Sequence, residues 1–432
     1  MAHIHVPADI PVRHLERSRG FSMFCGALFL VGVISLFVLR AADPARAEQA
    51  YSANWLFFFA VAEGAMLLCA VTTIVKAKWN WSVRRVSLAF AAYLPIAFIL
   101  FLPMLGLRES YFPWIEAMES DPIVQAKAAY LNIPFLVARN VAGLLLLIGL
   151  SLYLAYQAVR PDMGLVERGG DAGRERWRAS LTSDWMGQEA EETASARRMG
   201  RVAPAFILVY AAVMSMVVYD FAMSLEPHWF STIFGAWYFM GGFWGGIAST
   251  ALIVVLLKRR HADLNRLMGL QQMHDLGKLT FAFCVFWTYI FFAQYIVIWY
   301  GKLPWEQAWV IHRTNETWGP FALALVLMCF VIPFAGLIGR RPKMNPVILA
   351  SFVCVILAGL WLEHHLLIAP SLRLEGPTIG LWEGLVTLVF LGPVLWSVRW
   401  FLSTFPVVQV WQPPEQLEMV DLEVTREEAG VR

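Results

Sequence analysis

The sequence predicts an all-α polytopic membrane protein with about ten transmembrane helices. Soluble domains are usually about 45–50% apolar, whereas this chain is 59% hydrophobic and has a mean hydropathy of +0.58. The apolar residues form blocks of about 20 or more, which is long enough to cross a hydrocarbon core of about 30 Å. Basic residues occur mainly in the short segments between these blocks, as is typical of membrane proteins.

The apolar blocks divide the chain into two groups of predicted spans around one long polar segment. A cytoplasmic arm (1–20) precedes helices 1–4 (21–157), a polar connection (158–201) follows, and helices 5–10 (202–402) lead to an acidic cytoplasmic tail (403–432). We expect helix in the connection near Glu189–Arg198, where acidic and basic residues mix. The individual spans are predicted at 21–40, 52–76, 84–106, 131–157, 202–225, 232–257, 277–300, 318–339, 346–369 and 379–402.

The distribution of Lys and Arg predicts the orientation of the chain. Segments on the side of both termini carry 22 of these residues, and segments on the opposite side carry 7. By the positive-inside rule both termini face the cytoplasm, which requires an even number of spans. Because the basic residues lie in short loops beside the spans, nucleic-acid binding is not indicated.

The five cysteines are spread through the apolar blocks and form no recognised ligand spacing. Neither a CxxCH haem-attachment motif nor a ferredoxin-like run is present. We therefore expect this chain to bind no metal, covalent haem or iron–sulfur cluster of its own.

Polar residues inside the predicted spans are the main candidates for function, because an ionisable group in hydrocarbon costs several kcal/mol. They concentrate in the outer half of the membrane. At about 1.5 Å per residue, Glu63 lies roughly 17 Å from the outer surface, Arg139 roughly 12 Å, and Gln294 and Glu363 roughly 10 Å. The proton-transfer candidates are Glu63, Arg139, Asp220, His228, Gln294, Glu363, His364 and Glu383.

This asymmetry favours a half-channel that opens outward and ends at Glu63. Burial and a nearby cation act in opposite directions on the proton affinity of a carboxyl group, so a Glu63 placed near Arg139 would exchange protons near neutral pH. The alternative is a structural Glu63–Arg139 ion pair between helices 2 and 4. Likewise, Asp220 and Glu383 lie near enough to the surface to be hydrated structural groups.

Two adjacent histidines, His364 and His365, lie in helix 9. A b-type haem in a helical bundle commonly needs two histidines from facing helices, and every other histidine lies in a tail, a loop or a span end. We therefore predict no haem here. One of the two histidines is a candidate proton carrier.

Two stretches carry a resemblance to a known family. SLEPHWFSTIFGAWYFMGG (224–242) and HDLGKLTFAFCVFWTYIFFAQYIVIWYGKLPWE (274–306), followed by RTNETWG (313–319), resemble the ActF-type membrane subunit of bacterial alternative complex III. That subunit is similar to the NrfD/polysulfide-reductase-like group. The motif residues are Asp220, Glu226, His228, Asp275, Lys278 and Gln294.

The resemblance implies two four-helix bundles plus extra helices and a multi-pass place in the bacterial inner membrane. It also implies a respiratory complex that passes electrons from quinol to a cytochrome c or an oxidase. Haem c and iron–sulfur clusters would belong to partner chains: an iron–sulfur/molybdopterin-like subunit, multihaem cytochrome c subunits and a second NrfD-like membrane subunit. Lipids and a terminal oxidase are further expected partners.

The resemblance leaves three functions open. In the leading one the chain is a scaffold and proton-transfer route beside the quinol-oxidising subunit, without a redox centre of its own. In the second, this chain itself binds quinol, with Asp220 or His228 accepting its proton. The third is a secondary transporter, which would be expected to contain inverted repeats.

Overall fold

The protein is described by a computed structural model that covers residues 10–167, 171–373, 376 and 379–412. Within those residues the regular elements are all helical, and ten helices are long and apolar enough to cross a membrane. The chain is therefore an all-α, multi-pass membrane protein. Residues 1–9 of the predicted arm and 413–432 of the predicted acidic tail lie outside the described residues.

The ten membrane helices occur at the predicted places. They are α1 (Arg19–Ala42), α2 (Pro44–Ile74), α3 (Arg84–Gly106), α4 (Ile133–Leu165), α5 (Gln188–Leu225), α6 (Thr232–Arg260), α7 (Leu270–Gly301), α8 (Gly319–Leu337), α9 (Pro346–Leu372) and α10 (Leu381–Thr404). Short helices in the connections are Trp114–Ser120, Pro122–Gln125, Ala172–Leu181, Ala262–Leu267, Pro304–Thr314 and Arg340–Met344.

Local irregularities in α3 and α8 coincide with proline. In α3, 3₁₀ turns at Ala89–Ala92 and Leu102–Gly106 flank the α-helical stretch Leu94–Phe101. In α8, a π-helical stretch at Leu327–Val331 precedes Pro333. A proline removes a backbone N–H and crowds the preceding turn, so these segments cannot continue as regular α-helix.

The helices pack as two groups with α2 and α6 at their common interface. Helices α2–α5 form one group, and α6–α9 form the other. Helix α1 runs along α10, and this pair packs beside α2 and α3. The arrangement agrees with the predicted pair of four-helix bundles plus extra helices.

A close backbone contact joins α2 to α6. A Cβ atom added to Gly64 would lie 2.0 Å from the carbonyl oxygen of Gly242, and one added to Gly246 would lie 2.2 Å from the backbone nitrogen of Ala65. Small residues permit such an approach between membrane helices. We call this the α2–α6 glycine contact. It places the middle of α2 in the interior of the molecule.

Helices α4 and α5 extend further into the polar connection than the sequence predicts. Hydropathy ends α4 near residue 157 and begins α5 near residue 202, whereas the helices reach Leu165 and start at Gln188. Arg160 and Glu191 explain the difference, because they form a two-pronged ion pair between the extensions, with both N–O distances 2.8 Å. The helix expected near Glu189–Arg198 is confirmed.

The first residues after α10 are buried, although the sequence predicts a solvated tail from residue 403. Phe405, Val407, Val408 and Trp411 are each at most 4% exposed. The indole of Trp411 donates to the carbonyl of Ala158 on α4 at 2.9 Å. We call residues 405–412 the C-terminal strap, because they cross the arginine-rich end of the first bundle. An apolar run of this length is too short to span a membrane, so it packs against the protein instead.

The glycine contact predicts a strong effect of one added methyl group. Gly64→Ala should destabilise the protein by about 3 kcal/mol, because the new Cβ meets backbone atoms that cannot move aside. Gly149→Ala on α4 is the matched control, since nothing lies within 4 Å of its added Cβ. A thermal unfolding measurement in detergent should show a large fall in Tm for the first variant only. Equal Tm values would refute the close contact.

Candidate functional site

Glu63 occupies the middle of α2 and is wholly buried. Its Oε2 accepts a hydrogen bond from the Ser151 hydroxyl of α4 at 2.7 Å. Its Oε1 has no hydrogen-bond partner in the described part of the chain. A buried carboxyl oxygen with no protein partner is unusual. Glu63 is therefore held in place on one side and available for a further bond on the other.

A second buried carboxyl group, Glu363 of α9, borders a cavity of about 490 Å³ among α6–α9. Its Oε1 accepts a hydrogen bond from the Trp287 indole at 3.0 Å, and its Oε2 has no protein partner among the described residues. Gln294 of α7 lines the same cavity, and neither end of its buried amide is bonded by a residue in the described ranges. The rest of the wall is mainly aromatic and aliphatic. Two polar side chains with free hydrogen-bonding atoms thus face an apolar cavity.

His364 follows Glu363 and is also buried. Its Nδ1 lies 2.6 Å from the carbonyl oxygen of Leu360. Because a carbonyl can only accept a hydrogen bond, Nδ1 carries the proton and Nε2 is left as an acceptor in the neutral ring. That Nε2 has no protein partner among the described residues. The Nε2 of His365 likewise has no protein partner among the described residues, and the centroid of its ring lies 4.4 Å from that of Trp361.

Two tyrosines lie near the two carboxyl groups. The His364 ring centroid is 5.5 Å from that of Tyr238 on α6, and Tyr238 also lies within electrostatic range of Glu363. Tyr210 of α5 is close enough to interact electrostatically with both Tyr238 and Glu63. Each hydroxyl donates to a backbone carbonyl and keeps its own acceptor positions. We call the whole set the mid-membrane polar row: Gln294, Glu363, His364, Tyr238, Tyr210, Glu63 and Ser151.

Arg139 pairs with Asp220 rather than with Glu63. Its guanidinium donates to both Asp220 oxygens at 2.8 and 2.6 Å, and Asn140 donates to the same carboxylate. Asp220 is wholly buried, so it is not the hydrated surface group that the sequence allowed. The expected Glu63–Arg139 pair is wrong, because Asp220 on α5 faces Arg139 on the adjacent α4. Asp220 and Arg139 therefore have the contacts of a structural ion pair.

Glu383 lies in the first turn of α10 and His228 in the turn between α5 and α6, and both have partners. Glu383 accepts two hydrogen bonds from Arg46 at 2.7 and 2.9 Å and a third from the Gly380 amide, which begins α10. His228 pairs with Asp121 in the loop between α3 and α4, and its side chain is 48% exposed. Hydrogen bonding from His228 holds the pKa of Asp121 below its usual value.

Sequence reasoning missed the partner of Glu226. Arg313 is buried and donates all five N–H groups, to Glu226, to the Ser371 hydroxyl and to three backbone carbonyls. Burial lowers the pKa of Arg313 to about 10. Burial alone would raise the pKa of Glu226, but the charge of Arg313 and a hydrogen bond from Ser371 outweigh it and hold that pKa low. This cluster ties the α5–α6 turn to the short helix Pro304–Thr314 and to α9. The only sequence feature that could have indicated this partner is the arginine of the RTNETWG stretch, which is Arg313.

A second missed pair lies at the opposite end of the molecule. Arg85 of α3 and Asp162 of α4 form a wholly buried ion pair. The other Asp162 oxygen accepts the backbone amides of Val410 and Trp411 in the C-terminal strap, each at 2.9 Å. The predicted confinement of buried charge to the outer half is therefore wrong. Both residues fall at span ends, where hydropathy alone indicates solvent.

The remaining motif residues, Asp275 and Lys278, form an ion pair one turn apart near the start of α7. Among the described residues, no group of three or more His, Cys, Asp or Glu side chains is placed to hold a metal. No model of a known protein family matches this chain. A search of curated proteins also returned no relative.

The Arg139–Asp220 contact predicts that removing the charge of Arg139 destabilises the protein much more than removing the charge of Lys278. Arg139→Met leaves a buried carboxylate without its cation and should cost about 3–5 kcal/mol. Lys278→Met removes an ion pair whose lysine is 53% exposed, which should cost less than about 1 kcal/mol. Thermal unfolding of the purified variants measures both. Similar Tm values for the two variants would mean that water solvates the Asp220 carboxylate in place of Arg139.

Proposed function

We propose that this chain is an integral subunit of a respiratory quinol:electron-acceptor oxidoreductase of the alternative complex III type. In this role it is a scaffold and a proton-transfer route beside the quinol-oxidising subunit. We assign it to the bacterial inner membrane with both termini in the cytoplasm, because Lys and Arg favour that side by 22 to 7. The haem c and iron–sulfur centres are assigned to partner chains.

The observation that carries the proton route is the mid-membrane polar row. Glu63 and Glu363 are each wholly or almost wholly buried, and each has one carboxyl oxygen without a protein partner in the described residues. Buried charges in membrane proteins ordinarily pair with one another or mark a proton relay. Among the residues that the structure describes, these two carboxyl groups have no cationic partner, unlike Asp220, Glu226 and Glu383. Because each carboxyl group keeps one oxygen free for a further hydrogen bond, proton exchange is favoured over a purely structural role.

The groups between the carboxyls provide intermediate positions for a proton. His364 has a free acceptor at Nε2, and the two tyrosine oxygens can each accept a further hydrogen bond. Buried polar atoms without protein partners commonly bind water, so we infer that water links successive members of the row. A proton entering at the Gln294–Glu363 cavity would pass His364 and the tyrosines to reach Glu63.

Substituting either carboxyl group tests this route. Glu63→Gln and Glu363→Gln keep side-chain volume and hydrogen bonding but cannot release a proton. In liposomes containing the purified chain and a pH-sensitive dye, each variant should reduce potential-driven proton flux to that of protein-free liposomes. Glu109→Gln is the control, because Glu109 is an exposed carboxyl group in the loop after α3.

Two results would contradict the route. Flux that is unchanged in both carboxyl variants would exclude the polar row as the path. Flux of a solute other than protons through the unmodified chain would instead favour a secondary transporter.

The cavity beside Gln294 supports a second function, in which this chain itself binds quinol. The cavity is largely apolar, of a size that suits a small-molecule site, and its two unpaired polar side chains can each bond a hydroxyl or carbonyl group. The sequence suggested Asp220 or His228 for this role. Asp220 is fully bonded to Arg139 and Asn140, and His228 pairs with Asp121 in the loop between α3 and α4. Gln294 and Glu363 are the better candidates.

One isolation experiment separates these functions. Native membranes are labelled with a photoreactive quinone, and the complex is isolated through a tag on this chain. We expect iron–sulfur and multihaem cytochrome subunits to accompany it. Label in peptides of α7–α9 that is lost in Gln294→Leu supports quinol binding here, with His228→Ala as the control. Label only in a partner chain supports the scaffold role, and isolation of the chain alone argues against the complex.

A further inference from the structure

A basic pocket of about 660 Å³ lies where α1 begins and α10 ends. Three arginines and two tryptophans define it: Arg17, Arg19, Arg399, Trp396 and Trp400. The polar row, the Gln294 cavity and the ion pairs described above do not reach it. The basic pocket is therefore a separate feature of the lipid-facing surface.

The arginines of the basic pocket are only partly neutralised. Arg17 pairs with Asp171 at the start of the helix Ala172–Leu181. Arg399 donates to the backbone carbonyl of Glu16 at 3.0 Å and lies over the Phe21 ring. Its buried Nε has no acceptor, and Arg19 has no acidic partner among the described residues. Three arginine side chains thus line one pocket. Among the described residues, the carboxylate that pairs with them is that of Asp171.

The start of α1 adds further positive potential. Ser18 caps the helix by accepting a hydrogen bond from the Phe21 amide, and the first turn contains no acidic residue. The unpaired amides at a helix N-terminus carry a partial positive charge that favours anions. Here the helix end and the guanidinium groups of Arg19 and Arg399 act on the same pocket.

The apolar side of the basic pocket indicates a lipid rather than a soluble anion. Trp396 is 40% exposed and stacks with Trp400, with ring centroids 6.5 Å apart. Met23, which lines the pocket, and the adjacent Phe24 of α1 are 75% and 53% exposed and continue an apolar strip along the membrane face. Tryptophan side chains favour the level of the lipid headgroups. A phosphate in the pocket would therefore have acyl chains beside this strip.

We propose that the basic pocket binds the phosphate headgroup of an anionic phospholipid whose acyl chains lie along α1 and α10. The guanidinium groups of Arg19 and Arg399 contact the phosphate, and Arg17 is held at the rim by Asp171. The tryptophans pack against the glycerol region. Because the pocket joins the first membrane helix to the last, a bound lipid bridges the two ends of the chain.

Native mass spectrometry of the purified full chain, titrated with dioleoyl phosphatidylglycerol or dioleoyl phosphatidylcholine, tests this proposal. The anionic lipid should bind at least about tenfold more tightly. Arg19→Gln and Arg399→Gln should each weaken its binding about fivefold, and the double variant about 25-fold, given the usual contribution of one basic residue near anionic lipid. Arg40→Gln, at the other end of α1, is the matched control.

Three outcomes would overturn the proposal. Equal affinity of the unmodified chain for the two lipids would remove the headgroup selectivity, and this comparison needs no variant. Equal loss of binding in Arg40→Gln would show a general charge effect. Displacement of phosphatidylglycerol by millimolar inorganic phosphate would identify the pocket as a site for a soluble anion.

Discussion

The α2–α6 glycine contact is the constraint on which the interior depends. Gly64 and Gly242 bring the two backbones together, so that no side chain separates the two helical bundles at this depth. Glu63, next to Gly64, is consequently excluded from lipid and from bulk water. On α6, Tyr238 packs against the His364 ring of α9 and donates a hydrogen bond to the carbonyl of Leu56 on α2, so it contacts both bundles. A wider helix separation would allow lipid or bulky side chains to interrupt the polar row.

The buried charges fall into two chemical groups. Asp220, Glu226 and Asp162 each have a cationic partner and additional hydrogen bonds, which offset the cost of removing a charge from water. Glu63 and Glu363 each have a single neutral donor. The first group fixes helix positions at the two ends of the molecule. The second group lies between them, where a neutral carboxyl group is the less costly form.

Sequence alone predicted the ten helices well, because an apolar block of about 20 residues has few other uses. It did not predict which polar groups would meet. Sequence position gives the approximate depth of Arg139 and Glu63 in the membrane, but not the direction in which each side chain points around its helix. The rotation of α4 that turns Arg139 toward Asp220 depends on packing. The extensions of α4 and α5 were missed because Arg160 and Glu191 have low hydropathy, and the ion pair between them joins two separate helices. The partner of Arg85, Asp162, is in turn bonded by the distant C-terminal strap.

The C-terminal strap gives the chain a defined order of assembly. Its residues 405–412 are synthesised after α10, yet they contribute the two amides that complete the bonding of Asp162 on α4. Until the strap is synthesised, that Asp162 oxygen lacks these two donors. The bonding of a residue in the first bundle is therefore completed by a segment that follows the last membrane helix. Completion of the first-made half of the protein is thus coupled to completion of the last.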